Sequence, residues 1–296
     1  MKEASQKSSR WWVPWFFLLP SFAGFCTFML LPIGASLCMA FCNWDILSPP
    51  RFIGFQNFVT LLHDRDFWSY LGNTLYFMLG IPIQMAVSLF LAILVDRKIR
   101  GIVFFRTIFF LPVVSSLIAV AMVWRWIYHP EFGVLNELLR WVGVSHPPRW
   151  LGSLDWGKPS IIIMEVWRVA GYDMLLYLAA LQAIPQELYE AAEIDGANAW
   201  EKFWHVTWPM LSFVNFFVLV TRMIGGFQIF GQIFVMTQGG PAGSTTSLVY
   251  YIYRNAFEWF RMGYASAIAW VLFLLMLGVT LLQWKLGQKR QKETYG

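Results

Sequence analysis

Charge and catalytic machinery are scarce in this 296-residue chain, where only 13% of residues are Asp, Glu, Lys or Arg. The four histidines, His63, His129, His146 and His205, fall in separate loops without metal-ligand spacing, so no metal centre is expected. Cys26, Cys38 and Cys42 all sit in the first apolar run with no C-x-x-C pair; they read as small packing residues and say little about redox compartment. There is no G-x-x-x-x-G-K-[ST] loop to cradle the phosphates of ATP and no G-x-S-x-G turn to expose a nucleophile, so an enzyme is not expected. No internal repeat, heptad seam or low-complexity segment is visible. The net charge of +5 could suggest nucleic acid, but the basic residues gather at the ends of apolar runs instead of forming one stripe. Nucleic-acid binding is set aside on that ground.

What the chain has in excess is apolar and aromatic surface: 58% hydrophobic residues and 17 Trp place it in a bilayer. About 20 apolar residues cross a membrane. On that length six spans are expected: within Trp15 to Phe41, then about Tyr70–Val95, Thr107–Tyr128, Ser160–Leu181, Pro209–Gly231 and Tyr264–Trp284. The first run, from Trp11, exceeds a signal-peptide core and has no small-residue cleavage site, so it reads as a retained anchor. Short helices are expected at Phe132–Val142 and Thr246–Trp259, with an outward turn at Thr237 to Pro241.

Twelve Lys and Arg fall in the N-terminal tail, the 96–106 loop, the 185–209 segment and the C-terminal tail, against seven in the 43–67, 129–159 and 238–263 loops. That bias puts both termini in the cytoplasm. The expected fold class is therefore all-α integral membrane, multi-pass. Residues 1–10 form a cytoplasmic tail, residues 11–286 a six-helix membrane domain, and residues 287–296 a basic tail.

The most polar stretch between apolar ones runs from Pro185 to Leu211. Pro185 suits a first helical position, and Gln186 to Asp195 has Glu187 and Glu190 early, where carboxylates complement the positive helix end. Gly196 stops that helix. Asn198 with Glu201 reads as an N-cap pairing, so a second helix over about Ala199–Thr207 follows at once and ends near Pro209. The product is a cytoplasmic helix-turn-helix knob. Glu190-Ala191-Ala192, three residues, Gly196, nine residues and Val206-x-Trp208-Pro209 resemble the EAA signature of ATP-binding-cassette (ABC) importer permeases, with Val206 and Trp208 where Ile and Leu are usual. The words around it resemble the carbohydrate branch, including the maltose and glycerol-3-phosphate permeases. Supporting similarity runs through N-W-D-I-L-S-P-P-R-F, F-F-R-T-I-F-F-L-P-V-V and T-Q-G-G-P-A-G-S-T-T.

The resemblance implies a bacterial inner-membrane permease subunit whose knob (Glu190, Ala191, Ala192, Asp195, Gly196, Pro209) enters a cleft on a separate ATPase. It also implies partners: a second, different permease (a homodimer being the alternative), two ATPases that bind ATP and Mg, an extracytoplasmic solute-binding protein docking on the three external loops, membrane lipid, and a carbohydrate. No cofactor is expected in this chain. An ion-coupled secondary transporter or channel is the rival reading, though it has no reason to keep an acidic knob with this spacing.

Polar groups within spans are costly and point inward by default. Glu165 and Arg168, three apart on one helical face, are expected to neutralise each other. Trp167, Tyr172 and Asp173 offer a polyol rings to stack on and an acceptor for hydroxyls, and the resemblance implies a substrate-contacting tyrosine at Tyr172. Arg222, Gly226 and Gln228 of the fifth span could share that cavity, with Gly225 and Gln232 nearby. An Arg222–Asp173 ion pair is the structural alternative.

Overall fold

A computed structural model describes residues 12–96 and 101–295. The polar N-terminal tail, Trp11 and the basic cluster Arg97 to Arg100 lie outside the described residues, as do the side chains of the basic tail from residue 288. The regular elements of the described chain are helices apart from one two-stranded hairpin, in which Cys42–Asn43 (β1) pairs antiparallel with Arg51–Phe52 (β2). It divides into two units.

The first unit comprises residues up to His63 together with Arg254–Trp270. Its long helix α1, Trp15–Ala40, is apolar enough to cross a membrane, and its Phe16, Phe17 and Phe28 are exposed. The hairpin follows, and then the short helix α2, Gln56–His63. Asn57 fixes that helix by donating from Nδ2 to the carbonyls of Ala40 and Cys42, both at 2.9 Å.

The second unit, Asp64–Tyr253 with residues from Val271, carries the remaining elements. They are α3 (Arg65–Asp96), α4 (Ile102–Val114), α5 (Leu117–Ile127), α6 (Val134–Trp141) and α7 (Gly157–Gln182). Then follow α8 (Gln186–Ile194), α9 (Ala199–Met210), α10 (Ser212–Phe227), α11 (Gly231–Met236) and α12 (Leu248–Tyr253). The last helix, α13, is Met262–Tyr295, of which residues 262–270 count with the first unit. By length and apolarity α1, α3 and the 262–287 stretch of α13 can span a membrane, and so can the bent pairs α4–α5 and α9–α10 if each is one span. Helix α7 has 26 residues, about 39 Å at 1.5 Å per residue, which exceeds a hydrocarbon core of about 30 Å. What sets it apart from the purely apolar helices is Glu165, Arg168 and Asp173.

The expected continuous helix over Thr107–Tyr128 is instead broken, with α4 and α5 bent by 101°. Two local features explain the break. Pro112 has no N–H to bond back, and Ser115 adopts an extended conformation (φ −76°, ψ 147°) while its hydroxyl donates to the Leu111 carbonyl at 2.9 Å. Helices α3 and α7 pack along each other, and α4 lies so close to α7 that a Cβ on Gly171 would run into the Phe109 carbonyl.

Two apolar clusters form the core. One gathers Phe77, Val120, Met164, Ile229 and Ile233; the other gathers Leu89, Met174, Tyr177, Leu211 and Val218. Along α3 the interval between clusters contains Gln84, along α7 it contains Glu165, Arg168 and Asp173, and along α10 it contains Arg222. The polar groups thus occupy one layer between two apolar ones. The glycine-rich turn after α11 is tied down: Thr245, Thr246 and Ser247 are fully buried, and Asn73 Nδ2 donates to the carbonyls of Gly243 and Thr246 at 3.0 Å.

Candidate functional site

Two arrangements carry chemistry. The first is the knob. Helix α8 ends in paired bonds typical of a left-handed cap: the Gly196 N–H reaches the Glu193 carbonyl at 3.0 Å and the Ala197 N–H reaches the Ala192 carbonyl at 2.9 Å. Gly196 supplies the required φ of +80°. Asn198 then accepts from the N–H groups of Trp200 and Glu201 at 2.9 and 3.0 Å, while Glu201 Oε2 accepts from the Asn198 N–H at 2.7 Å. This reciprocal box starts α9. Two side-chain links clamp the helices together: Lys202 Nζ to Glu193 Oε1 at 2.7 Å, and the Tyr189 hydroxyl to Thr207 Oγ1 at 2.9 Å.

One detail differs from expectation. Pro185 occupies the N-cap, extended at φ −59°, ψ 132°, and not the first helical position. The second helix ends at Met210, beside Pro209 as expected, with a π-turn over Phe203–Thr207 that shifts the hydrogen-bond register ahead of the proline. Glu190, Ala191, Asp195 and Gly196 are exposed and Ala192 is half-buried. A Cβ on Gly196 would meet nothing within 4 Å. One feature has no counterpart in the sequence reading: Trp200, Trp204 and Trp208, four residues apart on one face, form a ladder with ring centroids 5.6 and 5.7 Å apart. Between the ladder and α3 lies an apolar groove of about 600 Å³.

The second arrangement is a cavity of about 290 Å³ in the polar layer between the two apolar clusters. Its polar lining is Gln84, Glu165, Arg168, Arg222, Gln228 and Gln232, with Gly225, Gly226, Phe77 and Phe230 among the rest. Fully buried Asp173 accepts from Arg222 Nε at 3.0 and 2.9 Å, from the terminal Nη2 at 2.5 Å, and from Gln84 Nε2 at 2.6 Å. Glu165 accepts from Arg168 Nε at 3.0 Å and Nη2 at 2.6 Å, and from Gln232 Nε2 at 2.8 Å.

Of the six residues singled out for a solute path, Arg222, Gly226 and Gln228 line this cavity and Trp167, Tyr172 and Asp173 do not. Asp173 is instead consumed by Arg222 and Gln84. Trp167 is two residues on from Glu165 and so on the other side of α7, edge-on to Trp124 at 5.5 Å. Tyr172 is 44% exposed and has the Arg222 guanidinium over its ring at 5.4 Å. Gln84 escaped the sequence reading because an uncharged glutamine inside an apolar run carries no local signal. Among the described residues no group of three or more His, Cys, Asp or Glu could hold a metal ion.

Residues 75–292 match the family described as binding-protein-dependent transport system inner membrane component. The chain is 37% identical over 286 residues to a probable ABC transporter permease protein of Bacillus subtilis, YurN, covering 95% of this chain and 98% of that protein. It is also 37% identical over 283 residues to the lactose transport system permease protein LacF of Rhizobium radiobacter, with 94% of each covered. A solved chain of a bacterial ABC transporter involved in import of the acidic polysaccharide alginate superposes with a TM-score of 0.82 at 27% identity, covering 94% of this chain and 96% of that one.

Proposed function

The chain belongs to the family of inner membrane components of binding-protein-dependent transport systems, as a permease subunit of an ABC importer, and from that premise we propose a sugar or sugar-like solute and a division of labour between knob and cavity. In this reading the chain forms half of the translocation pathway. It has six spans with both termini in the cytoplasm, a membrane domain over residues 11–286 flanked by the two tails, and the knob at 185–209. Two separate ATPases bind ATP and Mg, a second permease completes the pathway, and a solute-binding protein delivers the sugar. The relatives' names include both a neutral disaccharide and an acidic polysaccharide, so kinship supports the sugar class without fixing its charge.

The observation that carries the coupling role is the construction of the knob. Two helices capped at one glycine and clamped by Lys202–Glu193 and Tyr189–Thr207 behave as one stiff piece joined to α7 and α10. Pushing such a piece must tilt both helices, and these helices carry Glu165, Arg168 and Arg222 at the cavity wall. ATP-driven closure of the ATPases thereby alternates access to the cavity. Glu190, Ala191, Ala192, Asp195 and Gly196 form the surface presented to the ATPase, and Pro209 lies in the last turn of the second helix, where the knob joins α10. Arg222, Gly226 and Gln228 face the solute. Trp167, Tyr172 and Asp173 act from α7, Asp173 by holding Arg222. The test is reconstitution of the assembled importer in proteoliposomes with Gly196→Asp and Tyr172→Ala variants. The first should lose hydrolysis stimulated by loaded binding protein, and the second should assemble but take up solute poorly. Full stimulation and uptake with Gly196→Asp would remove the knob as the coupling element.

A further inference from the structure

The cavity wall is built from two copies of the same three-part relay, arginine to carboxylate to glutamine. One runs Arg222–Asp173–Gln84 and the other Arg168–Glu165–Gln232. Each has two consequences. The guanidinium charge is matched by its own carboxylate, held in bidentate fashion, so neither arginine presents an unbalanced positive charge. An ionised carboxylate can only accept, so it fixes which end of each amide faces it: the nitrogen turns to the acid and the carbonyl oxygen is left over. The carbonyl oxygens of Gln84 and Gln232 have no hydrogen-bond partner among the described residues, although both side chains are at least nine-tenths buried (5% and 6% exposed).

We propose that this cavity takes an uncharged, hydroxyl-bearing ring, with the Gln84 and Gln232 carbonyl oxygens as hydroxyl acceptors and both arginines serving to hold carboxylates and amides in place. The proposal rests on the reading of this cavity as the solute path. An anionic sugar would bring its charge to a net-neutral wall whose unused groups include two acceptors, whereas a neutral sugar ring brings donors to them and can lay an apolar face on Phe77 or Phe230. A volume of about 290 Å³ is at the lower end of small-molecule sites, of the size for one ring at a time.

The electrostatic claim can be read without knowing the solute. Gly225 lines the cavity, and a Cβ there meets nothing within 4 Å. A Gly225→Cys variant of the whole importer in membranes is exposed to methanethiosulfonates of matched size, one bearing a trimethylammonium and one a sulfonate. Rates at residue 225 are followed by peptide mass spectrometry with and without ATP, normalised to a free thiol. A neutral wall gives a ratio of the two rates below about fivefold, because an unbalanced charge at this range shifts the two rates in opposite directions by about threefold each, about tenfold in their ratio. A fivefold or larger preference for either reagent overturns the proposal, and so does absence of labelling by both. Glu165→Gln in the same background releases Arg168 and should turn the ratio toward the sulfonate by about tenfold; no change would remove that relay. If that variant does not assemble, the Gly225→Cys measurement alone still decides. Uptake by the unsubstituted importer is scored in parallel. ATP-dependent uptake with a skewed ratio leaves the permease role standing and ends the neutral-solute proposal, while loss of ATP dependence would end the permease role itself.

Discussion

Gly196 offers the sharpest separation of backbone strain from partner packing. Its φ of +80° is costly for an L-residue, about 1–2 kcal/mol for most side chains and less for Asn, whose short polar group tolerates the left-handed region. Within the chain there is room for a side chain, since nothing lies within 4 Å of a Cβ there. Gly196→Ala should therefore weaken the turn by about 1 kcal/mol, or about fivefold faster exchange of the Gly196 and Ala197 amides that close it. Gly196→Asn should weaken it less. In the assembled importer the order inverts if the knob sits in a fitted cleft, because Asn is the larger intruder and Ala the smaller. The assays are hydrogen exchange over residues 186–202 and ATP hydrolysis stimulated by loaded binding protein. If stimulated hydrolysis follows the exchange order, with Ala the worse variant, the defect is turn strain alone and the fitted-cleft reasoning is refuted.

Other consequences follow from named contacts. Asn198→Ala removes the acceptor for two N–H groups and should cost the knob about 1 kcal/mol, seen as faster exchange at Trp200 and Glu201. Asp173→Asn leaves the Arg222 guanidinium unbalanced beside a fully buried site and should cost about 3–5 kcal/mol. Adding Arg222→Gln should recover most of that in detergent thermal unfolding, and a double variant no more stable than the single would show the pair is not the source. Tyr172→Ala removes a ring under the Arg222 guanidinium, and should leave assembly by size-exclusion chromatography intact while lowering uptake.

The knob was legible in the sequence because its determinants are local. Helix caps are written within five residues of one another, and Gly196, Asn198 and Glu201 announce theirs directly. The Glu165–Arg168 pair was legible for the same reason. What was not legible is long-range or register-dependent. The bond from Gln84 to Asp173 joins residues 89 apart, and that from Gln232 to Glu165 joins residues 67 apart. Neither glutamine differs in pattern from a solvated one until the helices are packed. The break at Ser115 depends on a hydroxyl competing for a helix carbonyl, which apolarity alone read as a continuous span, and the π-turn ahead of Pro209 has no local mark in the sequence. Arg222–Asp173 could be written down as a pair but not chosen over a solute-facing arginine, because the choice turns on the rotation of α10 against α7.

The central claim is that ATP hydrolysed on separate subunits moves solute through this chain. The direct measurement is uptake into proteoliposomes containing the purified importer and loaded binding protein, with ATP supplied or withheld on the ATPase side, and with or without an imposed proton or sodium gradient. The account predicts uptake only with ATP, abolished when the ATPase subunits are stripped away and indifferent to the gradient. Uptake that persists without nucleotide and follows the ion gradient would contradict it.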